Sequence, residues 1–155
     1  KFVYDFKKKL NCDIIFEPGR SLVGNTGILV SKIQYIKKGS NKNFIIIDAG
    51  MNDFMRTALY DASHGIVPII KTKKQGKEPV EFVGPICETT CKFVKYKKYQ
   101  EIKEGDFIAI TDVGAYGSSL SSNYNTKPLI AEILASKNNY KIIRKKQDLL
   151  KLINS

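Results

Sequence analysis

The chain has 155 residues, of which 43% are hydrophobic, which is enough for one ordinary domain with a core. Nothing in this composition is typical of a disordered or fibrous protein, and no apolar run approaches the roughly 20 residues that a membrane helix needs. The formal net charge of +11 comes from dispersed basic residues, mostly beside apolar segments, which is more typical of a solvated surface than of a binding patch. The first residue is Lys1 rather than Met, so we expect a fragment or a processed product.

The chain has an odd number of cysteines, Cys12, Cys87 and Cys91. An odd number argues against a disulfide framework and favours a reducing compartment, so we expect a cytoplasmic protein. Cys87 and Cys91 could form half of a metal site, but the other soft ligands, Cys12 and His64, are distant in sequence. We therefore expect no metal.

The opening of the chain predicts the end of an amphipathic helix. Its apolar side chains share one helical face at Phe2, Val3, Phe6 and Leu10. A short strand is predicted over Asp13–Glu17, halted by Pro18-Gly19. A helix that runs into a buried strand is typical of an alternating α/β unit.

The rest of the chain predicts a β domain. Apolar, β-branched segments recur at Ile28–Ile36, Phe44–Asp48, Ile66–Lys71, Val80–Val83, Phe107–Asp112, Leu129–Ala135 and Tyr140–Arg144. Turn-forming residues separate them, which predicts an antiparallel sandwich or barrel. Residues 146–154 predict a closing helix. The expected fold class is therefore mainly β with some α, with an α/β tail over residues 1–30 and a β domain over 31–155.

The first polar cluster is Glu17-Pro18-Gly19-Arg20, at the end of the first predicted strand. Backbone N–H groups at a glycine turn can hold a phosphate, and Arg20 could bind a carboxylate or phosphate with two parallel hydrogen bonds. An ordinary strand-ending turn would look the same.

The second cluster follows Asp48-Ala-Gly-Met-Asn-Asp53 and comprises Arg56, Tyr60 and His64. The spacing of four places these three side chains on one face of a helix. Arg and Tyr together suit an anionic ligand, although spacing alone favours a surface helix with Tyr60 packed inward. His64 is more typical of a capping or packing residue than of a catalyst.

The third cluster is the run Gly84-Pro-Ile-Cys87-Glu88-Thr-Thr-Cys91. A thiol beside a carboxylate after a rigid Gly-Pro turn could donate a proton and bind a cation. The alternative is a buried structural cysteine, which is the commoner environment of a free cysteine.

The fourth cluster is Asp112-Val-Gly-Ala-Tyr116-Gly, followed by a run of small polar residues that ends at Asn125. Glycines near Tyr116 would let the backbone or the ring approach a flat ligand closely. A glycine-rich hairpin turn is the alternative.

The order and separation of these motifs resemble the diaminopimelate decarboxylases. The resemblance covers nearly all of the chain. It is carried by Glu17-Pro-Gly-Arg20, Met51-Asn-Asp53 with Arg56 and Leu59-Tyr60, Gly-Pro-Ile-Cys87-Glu88, Gly-Ala-Tyr116 and Asn123-Tyr-Asn125. The wider group is the fold-type III, alanine-racemase-like decarboxylases that use pyridoxal 5'-phosphate (PLP), which include the ornithine and arginine enzymes. In that group a (β/α)8 barrel carries the cofactor lysine, and a C-terminal β domain completes the site.

The resemblance implies that residues 1–30 are the tail of the PLP-binding barrel and that residues 31–155 are a C-terminal β-barrel domain like that of alanine racemase and ornithine decarboxylase. It implies PLP-dependent decarboxylation of meso-2,6-diaminopimelate to L-lysine, the last step of lysine biosynthesis, by a homodimer with shared active sites. The chain by itself, without the cofactor lysine, is expected to be inactive.

The resemblance also implies roles for particular residues. Glu17, Pro18, Gly19 and Arg20 match the stretch that holds the cofactor phosphate, and Arg20 also matches a substrate contact. Arg56 and Tyr60 match substrate-binding positions, and Tyr116 matches a residue that touches both PLP and substrate. Cys87 matches the proton donor and Glu88 the ligand of the distal ammonium, both supplied to the partner subunit.

One departure concerns the motif after Cys87. The related enzymes usually have a Ser and then, at the fifth place, an Asp, where this chain has Thr89 and Cys91. Cys91 therefore replaces a carboxylate near the site and places a second thiol near Cys87.

Three alternatives stay open. The chain could come from a catalytically inactive relative that binds an active partner, although the retained side chains speak against it: Arg20, Arg56, Tyr60, Cys87, Glu88 and Tyr116. The chain could be a basic β-barrel that binds nucleic acid through Phe93, Tyr96 and Tyr99 among the neighbouring lysines. It could also belong to a decarboxylase of ornithine or arginine. Arg56 with Glu88 favours diaminopimelate, whose distal end carries both a carboxylate and an ammonium. We therefore expect a small-molecule substrate, with neither nucleic acid nor a membrane as a partner.

Overall fold

The computed structural model describes residues 1–154 of the chain. Within them the chain forms four α-helices and eight β-strands. The helices are α1 (Phe2–Leu10), α2 (Arg20–Val23), α3 (Arg56–Tyr60) and α4 (Leu149–Ile153). The strands are β1 (Leu29–Lys37), β2 (Asn43–Ile47), β3 (Ile66–Pro68), β4 (Val80–Val83), β5 (Lys92–Tyr96), β6 (Phe107–Ile110), β7 (Glu132–Ser136) and β8 (Asn139–Arg144). The predicted class, mainly β with some α, is confirmed.

Six of the strands form one sheet in the order β3-β6-β1-β2-β4-β5, and β7 and β8 form a separate hairpin. Every neighbouring pair in the large sheet is antiparallel except β2 and β4, which are parallel. The prediction of a purely antiparallel sheet is therefore wrong at this pair. The chain between β2 and β4 passes through α3 and β3, and a long crossover of this kind is what parallel neighbours require.

The large sheet curls around a hydrophobic core. Strand β1 alternates between buried and exposed residues over its first half, as expected for a strand with one face on the core. The fully buried large apolar side chains are Ile33, Ile45, Ile47, Phe54, Phe82, Ile108 and Ile110. The curl brings β3 and β5, the two edge strands, together: the Tyr96 hydroxyl lies 2.8 Å from the Ile66 nitrogen, and the Tyr99 hydroxyl donates to the Ile66 carbonyl at 3.1 Å. The domain is thus a half-barrel whose open side is bridged by tyrosines.

The predicted strand over Asp13–Glu17 is wrong. The segment is not assigned to a strand, and Ile15 and Phe16 are 88% and 63% exposed. A β-strand needs a neighbour to accept and donate its backbone hydrogen bonds, and no strand in residues 1–154 pairs with this segment. The helix predicted before it is confirmed as α1.

Other strands differ from their predictions mainly at the ends. Strand β7 begins at Glu132 rather than Leu129, whose nitrogen donates instead to the Gln147 side chain at 3.0 Å. The closing helix is shorter than residues 146–154, because Asp148 caps its first turn by accepting from the Leu150 nitrogen at 2.9 Å. Strand β3 ends at Pro68 rather than at Lys71.

Strand β5 was not predicted, because two of its five residues, Lys92 and Lys95, are charged and interrupt its apolar run. Among residues 1–154, no helix combines the length and apolar character that crossing a bilayer requires.

Candidate active site

Arg56 is the centre of one group of predicted site residues. It begins α3, and its guanidinium carbon lies 5.6 Å from the ring centres of both Tyr60 and Tyr116. Tyr60 is one helical turn away, whereas Tyr116 comes from the loop after β6. Tyr60 is 61% exposed, so the alternative in which it packs inward is wrong. A half-buried cation beside two phenols is suited to binding an anion.

The loop before α3 fixes the position of Arg56, the first residue of that helix. The carboxylate of Asp53 accepts hydrogen bonds from the Gly50 nitrogen at 2.8 Å and from the Asn52 side chain at 3.1 Å. Asp53 is buried, and this burial raises the pKa of its carboxyl above 3.8, although the Gly50 hydrogen bond opposes the shift. The Asn52 carbonyl also accepts from the Ser122 nitrogen at 2.9 Å. The loop therefore joins α3 to the segment that follows Tyr116.

Tyr116 is held in place by a close backbone contact between two glycines. The nitrogen of Gly114 donates to the Gly24 carbonyl at 2.9 Å, and the nitrogen of Val113 donates to the Gly27 carbonyl at 3.0 Å. A Cβ on Gly114 would lie 2.0 Å from the Val23 carbonyl oxygen, so only glycine fits there. The loop that carries Tyr116 is thus packed against the segment that directly follows α2.

This contact also brings the Glu17–Arg20 turn to Tyr116. A Cβ built on Gly19 would lie 3.8 Å from the Tyr116 hydroxyl, so the two groups face the same space. Glu17, Pro18 and Arg20 are all exposed, with Arg20 at the start of α2. The structure therefore brings together the first, second and fourth predicted clusters, although they are far apart in the sequence.

Cys87 and Glu88 form a second group on the loop between β4 and β5. Both are exposed, so the alternative of a buried structural Cys87 is wrong. Glu88 accepts a short hydrogen bond from the Tyr124 hydroxyl, and this bond, together with the negative charge of Glu88, raises the pKa of Tyr124. Within residues 1–154, no hydrogen bond, ion pair or ring contact joins Cys87 or Glu88 to Arg56, Tyr60 or Tyr116.

Cys91 lies beneath that loop rather than beside Cys87 at the surface. Its side chain is 4% exposed, and its sulfur accepts from the Met51 nitrogen at 3.4 Å. A Cβ on Gly84 would lie 2.5 Å from this sulfur, so the thiol fills the inside of the turn. Cys91 therefore acts as a packing residue that links the Cys87 loop to the loop before α3.

Two contacts at these sites were not predicted from the sequence. His64 was expected to be a capping or packing residue, and it is buried edge-on against Phe54, with ring centres 4.6 Å apart. Its nitrogen also contacts Arg56, at 3.4 Å. The prediction that His64 shares a helical face with Arg56 is wrong, because α3 ends at Tyr60 and Asp61 adopts a left-handed conformation with φ of 50°. Tyr124 lay in the predicted binding loop, but nothing in the sequence points to Glu88 as its partner.

The aromatic residues that a nucleic-acid interface would need are turned inward. Phe93 and Tyr99 are 9% and 8% exposed, and both belong to the hydrophobic core. Tyr96 packs its ring on Phe82 with centres 6.1 Å apart. Stacking of bases requires exposed ring faces, so the structure does not favour the nucleic-acid alternative.

The sequence matches a known family model, the C-terminal sheet domain of the pyridoxal-dependent decarboxylases, over residues 1–114. It is 42% identical over 144 residues to the diaminopimelate decarboxylase of Aquifex aeolicus, covering 93% of this chain and 34% of that protein. The structure resembles diaminopimelate decarboxylase from Helicobacter pylori complexed with L-lysine, with a TM-score of 0.82, 42% identity and coverage of 98% of this chain and 37% of the other. It also resembles diaminopimelate decarboxylase from M. jannaschii in co-complex with L-lysine, with a TM-score of 0.85, 37% identity and coverage of 97% of this chain and 35% of the other.

These similarities define a PLP-dependent decarboxylase domain of the alanine-racemase-like kind. The chain belongs to the pyridoxal-dependent decarboxylase family, through its C-terminal sheet domain. It spans about a third of the length of the relatives it matches.

Proposed function

We propose that the complete protein is a diaminopimelate decarboxylase, which removes CO2 from meso-2,6-diaminopimelate and yields L-lysine. The observation that carries this proposal is the position of Arg56 between Tyr60 and Tyr116, next to the Glu17–Arg20 turn. The curated relatives are named diaminopimelate decarboxylases, and both of the similar structures described above contain L-lysine.

The residues around Tyr116 fit PLP. The turn at Gly19 and the Tyr116 hydroxyl face the same space, and backbone N–H groups at a glycine turn beside a phenol suit a phosphate. In this proposal Glu17, Pro18, Gly19 and Arg20 hold the phosphate, and Tyr116 contacts both cofactor and substrate. PLP, when bound, supplies the electron sink for the negative charge that loss of CO2 leaves behind.

The two ends of diaminopimelate need different partners. We propose that Arg56 and Tyr60 bind the distal carboxylate and that Glu88 binds the distal ammonium. Arg56 offers a charged fork, Tyr60 a hydroxyl donor and Glu88 an acceptor for the ammonium. Arg20 adds a further substrate contact. Ornithine has no distal carboxylate, so Arg56 would have no partner on that substrate.

We propose that Cys87 returns a proton to the carbon that has lost CO2. Its thiol is exposed on a loop and carries a transferable proton. Cys87 and Glu88 have no bonded contact with the Arg56 group in residues 1–154, which supports the idea that they serve the site of a partner subunit. The proposed enzyme is accordingly a homodimer in which each subunit completes the other's site. We place it in the cytoplasm because its cysteines are unpaired, as is usual in a reducing compartment.

We also propose a division of the chain at residue 30, with the preceding residues belonging to the PLP-binding barrel. The first strand of the large sheet begins at Leu29, and α1 and the exposed segment after it make no pairing with that sheet. The exposed apolar side chains of α1, Phe2 and Phe6 among them, are those expected of an element that packs on other parts of a larger protein.

A substrate panel tests the proposed activity. The complete protein with PLP is supplied with meso-diaminopimelate, ornithine or arginine, and the amine or amino-acid product is quantified by chromatography. L-lysine from diaminopimelate, with little turnover of the other two, is expected. The 155-residue chain is the matched control and should be inactive. Preferential turnover of ornithine or arginine, or none of the three, would contradict the proposal.

A further inference from the structure

His64 is fixed by the end of strand β6. Its Nδ1 lies 3.0 Å from the Thr111 carbonyl oxygen, and the Thr111 nitrogen donates to the Gly65 carbonyl at 2.8 Å. A carbonyl oxygen can only accept, so Nδ1 carries the proton in this contact. The other ring nitrogen, Nε2, is then an acceptor. The edge of the Phe54 ring closes one side of the imidazole, leaving it 5% exposed and with little freedom to rotate.

Arg56 uses this acceptor with its Nε. The Nε–H of Arg56 donates to His64 Nε2 at 3.4 Å. The two terminal amino groups of the guanidinium, Nη1 and Nη2, have no hydrogen-bond or ion-pair partner within residues 1–154. The Nε of Arg56 is therefore occupied by His64, while Nη1 and Nη2 are available to bind a ligand.

The end of strand β6 also leads into the loop that carries Tyr116. Thr111 follows β6 directly, and Tyr116 comes five residues later in the loop that packs above Arg56. His64 thus connects two parts of the site. One is the Thr111 backbone, where that loop begins, and the other is the Arg56 side chain, which contacts Tyr116 in the same loop. A rotation about the Cδ–Nε bond would turn the Nε–H of Arg56 away from His64 and move its guanidinium carbon relative to the Tyr116 ring.

We propose that His64 is a positioning residue for Arg56. By accepting from Nε, it directs Nη1 and Nη2 together at the substrate, so that Arg56 binds a carboxylate end-on through both amino groups rather than sideways through Nε. The inference rests on the proposed function, because the carboxylate in question is the distal one of diaminopimelate. The acceptor, not the bulk of the ring, is the feature that matters.

Three substitutions separate the acceptor from the rest of the imidazole. His64→Gln can place its amide oxygen near the position of Nε2 and so keep an acceptor for Arg56. His64→Asn can place its amide nitrogen near Nδ1 and so keep a donor for Thr111, but it offers Arg56 nothing. His64→Leu fills the space and keeps neither bond. If the asparagine variant fails to fold, the leucine variant takes its place as the one without an acceptor.

In the complete enzyme, His64→Gln should keep the KM for diaminopimelate near the wild-type value. His64→Asn and His64→Leu should raise this KM by about 3- to 10-fold, as expected for losing one hydrogen bond that orients a charged group. The kcat should change much less than KM, and PLP absorbance should not change. A merely structural role would give the reverse order, because Asn keeps the bond to the backbone and Gln does not. That order, or equal KM values for all three variants, would overturn the proposal.

Crystal structures of the same variants supply a second readout that does not depend on turnover. The distance of 5.6 Å between the Arg56 guanidinium carbon and the Tyr116 ring centre should persist in His64→Gln and be lost in His64→Asn or His64→Leu. An unmoved Arg56 in the variants without the acceptor would overturn the inference. If the wild-type protein fails to release lysine from diaminopimelate, the proposed function fails, but this crystallographic comparison still decides whether His64 positions Arg56.

Discussion

Tyr124 donates a hydrogen bond from its phenol to the carboxylate of Glu88, and the two side chains are exposed on neighbouring loops. Because this bond and the charge of Glu88 raise the pKa of Tyr124, the phenol keeps its proton well into the alkaline range. Glu88 is therefore oriented by a donor from its own subunit, leaving its remaining lone pairs for a cation. The relationship makes Tyr124 part of the proposed distal-ammonium site.

Replacing Tyr124 by Phe removes that donor without removing the ring. In the complete enzyme we expect Tyr124→Phe to raise the KM for diaminopimelate by roughly 2- to 10-fold, since Glu88 is no longer held in one orientation. Steady-state kinetics measure the change. Tyr140→Phe, at an exposed position of β8, is the matched control and should leave KM unchanged. An unaltered KM in Tyr124→Phe would mean that Glu88 needs no such support.

Arg56→Ala should weaken the binding of diaminopimelate far more than that of PLP. Loss of a charge-assisted pair costs about 1.5–3 kcal/mol, which corresponds to roughly 10- to 150-fold in affinity. Arg56→Lys keeps the charge but not the planar fork, so it should fall between the wild type and the alanine variant. Titration of each variant with substrate and with PLP gives the two affinities. Equal losses for both ligands would show that Arg56 is structural instead.

Gly114→Ala tests the contact that places Tyr116. The new Cβ would lie 2.0 Å from the Val23 carbonyl oxygen, so the loop must move and carry Tyr116 with it. We expect a loss of about 1–3 kcal/mol in the free energy of unfolding, as for other overpacked sites, and weaker binding of both PLP and substrate. Gly105→Ala is the control: its Cβ would meet nothing within 4 Å, although its φ of +89° makes alanine strained. Gly105→Ala should lose stability but keep its affinity for PLP and substrate. If Gly114→Ala also keeps both affinities, the backbone contact at Gly114 does not position Tyr116.

Asp53 should make the folded state less stable as pH rises. Burial raises the pKa of this carboxyl in the folded protein above the 3.8 of an exposed group, so the folded state binds the proton more tightly than the unfolded state. Its contribution to the free energy of unfolding is therefore greatest below about pH 3.8 and is lost as pH rises through the folded-state pKa. Asp53→Asn has no such titration. Urea denaturation across this range should show that the stability of the wild type relative to Asp53→Asn falls as pH rises, and a constant difference would contradict the prediction.

Much of the sheet could be predicted from the sequence because its strands carry their own pattern of buried residues. Strand β4 lies where it was predicted, at Val80–Val83, where apolar residues are bounded by turn-forming ones. The strand over Asp13–Glu17 was predicted on the same grounds and is wrong, since apolar content does not specify a hydrogen-bonding neighbour. Strand β5 was missed for the opposite reason, because its two exposed lysines, Lys92 and Lys95, interrupt a run of only three apolar residues.

The candidate site, like the sheet, could be predicted only in part from the sequence. The spacing of Arg56 and Tyr60 predicted their contact, since both lie on α3. His64 lies beyond the end of α3, so its contact with Arg56 depends on how the chain turns after Tyr60 and not on helical spacing. The contact between Arg56 and Tyr116 joins parts of the chain that no local pattern relates, since it depends on how the loop after β6 folds back. The acceptor role of His64 could not be predicted either, because it depends on which ring nitrogen faces the Thr111 carbonyl.

Cys87 provides a test of whether the active site is shared. If Cys87 and Glu88 reach the partner's site, a monomer lacks both the proton donor and the distal-ammonium ligand, and a two-fold dimer places one such pair in each of two sites. Two inactive variants of the complete protein, one without the cofactor lysine and one with Cys87→Ala, should then restore activity when their subunits are mixed. Random reassortment makes about half of the dimers mixed, and each mixed dimer has one intact site out of two. Activity should therefore reach roughly one quarter of the wild-type value.

The control for this experiment is a mixture in which subunit exchange is blocked by cross-linking each variant beforehand, which should stay inactive. Exchange itself is verified by mass spectrometry of differently tagged subunits. Cys91→Ala provides a second comparison, because its buried thiol lies beneath the loop and should not be required for the proton transfer. If mixed dimers form but activity does not return, Cys87 serves its own subunit or is only structural, and the proposed shared site is wrong.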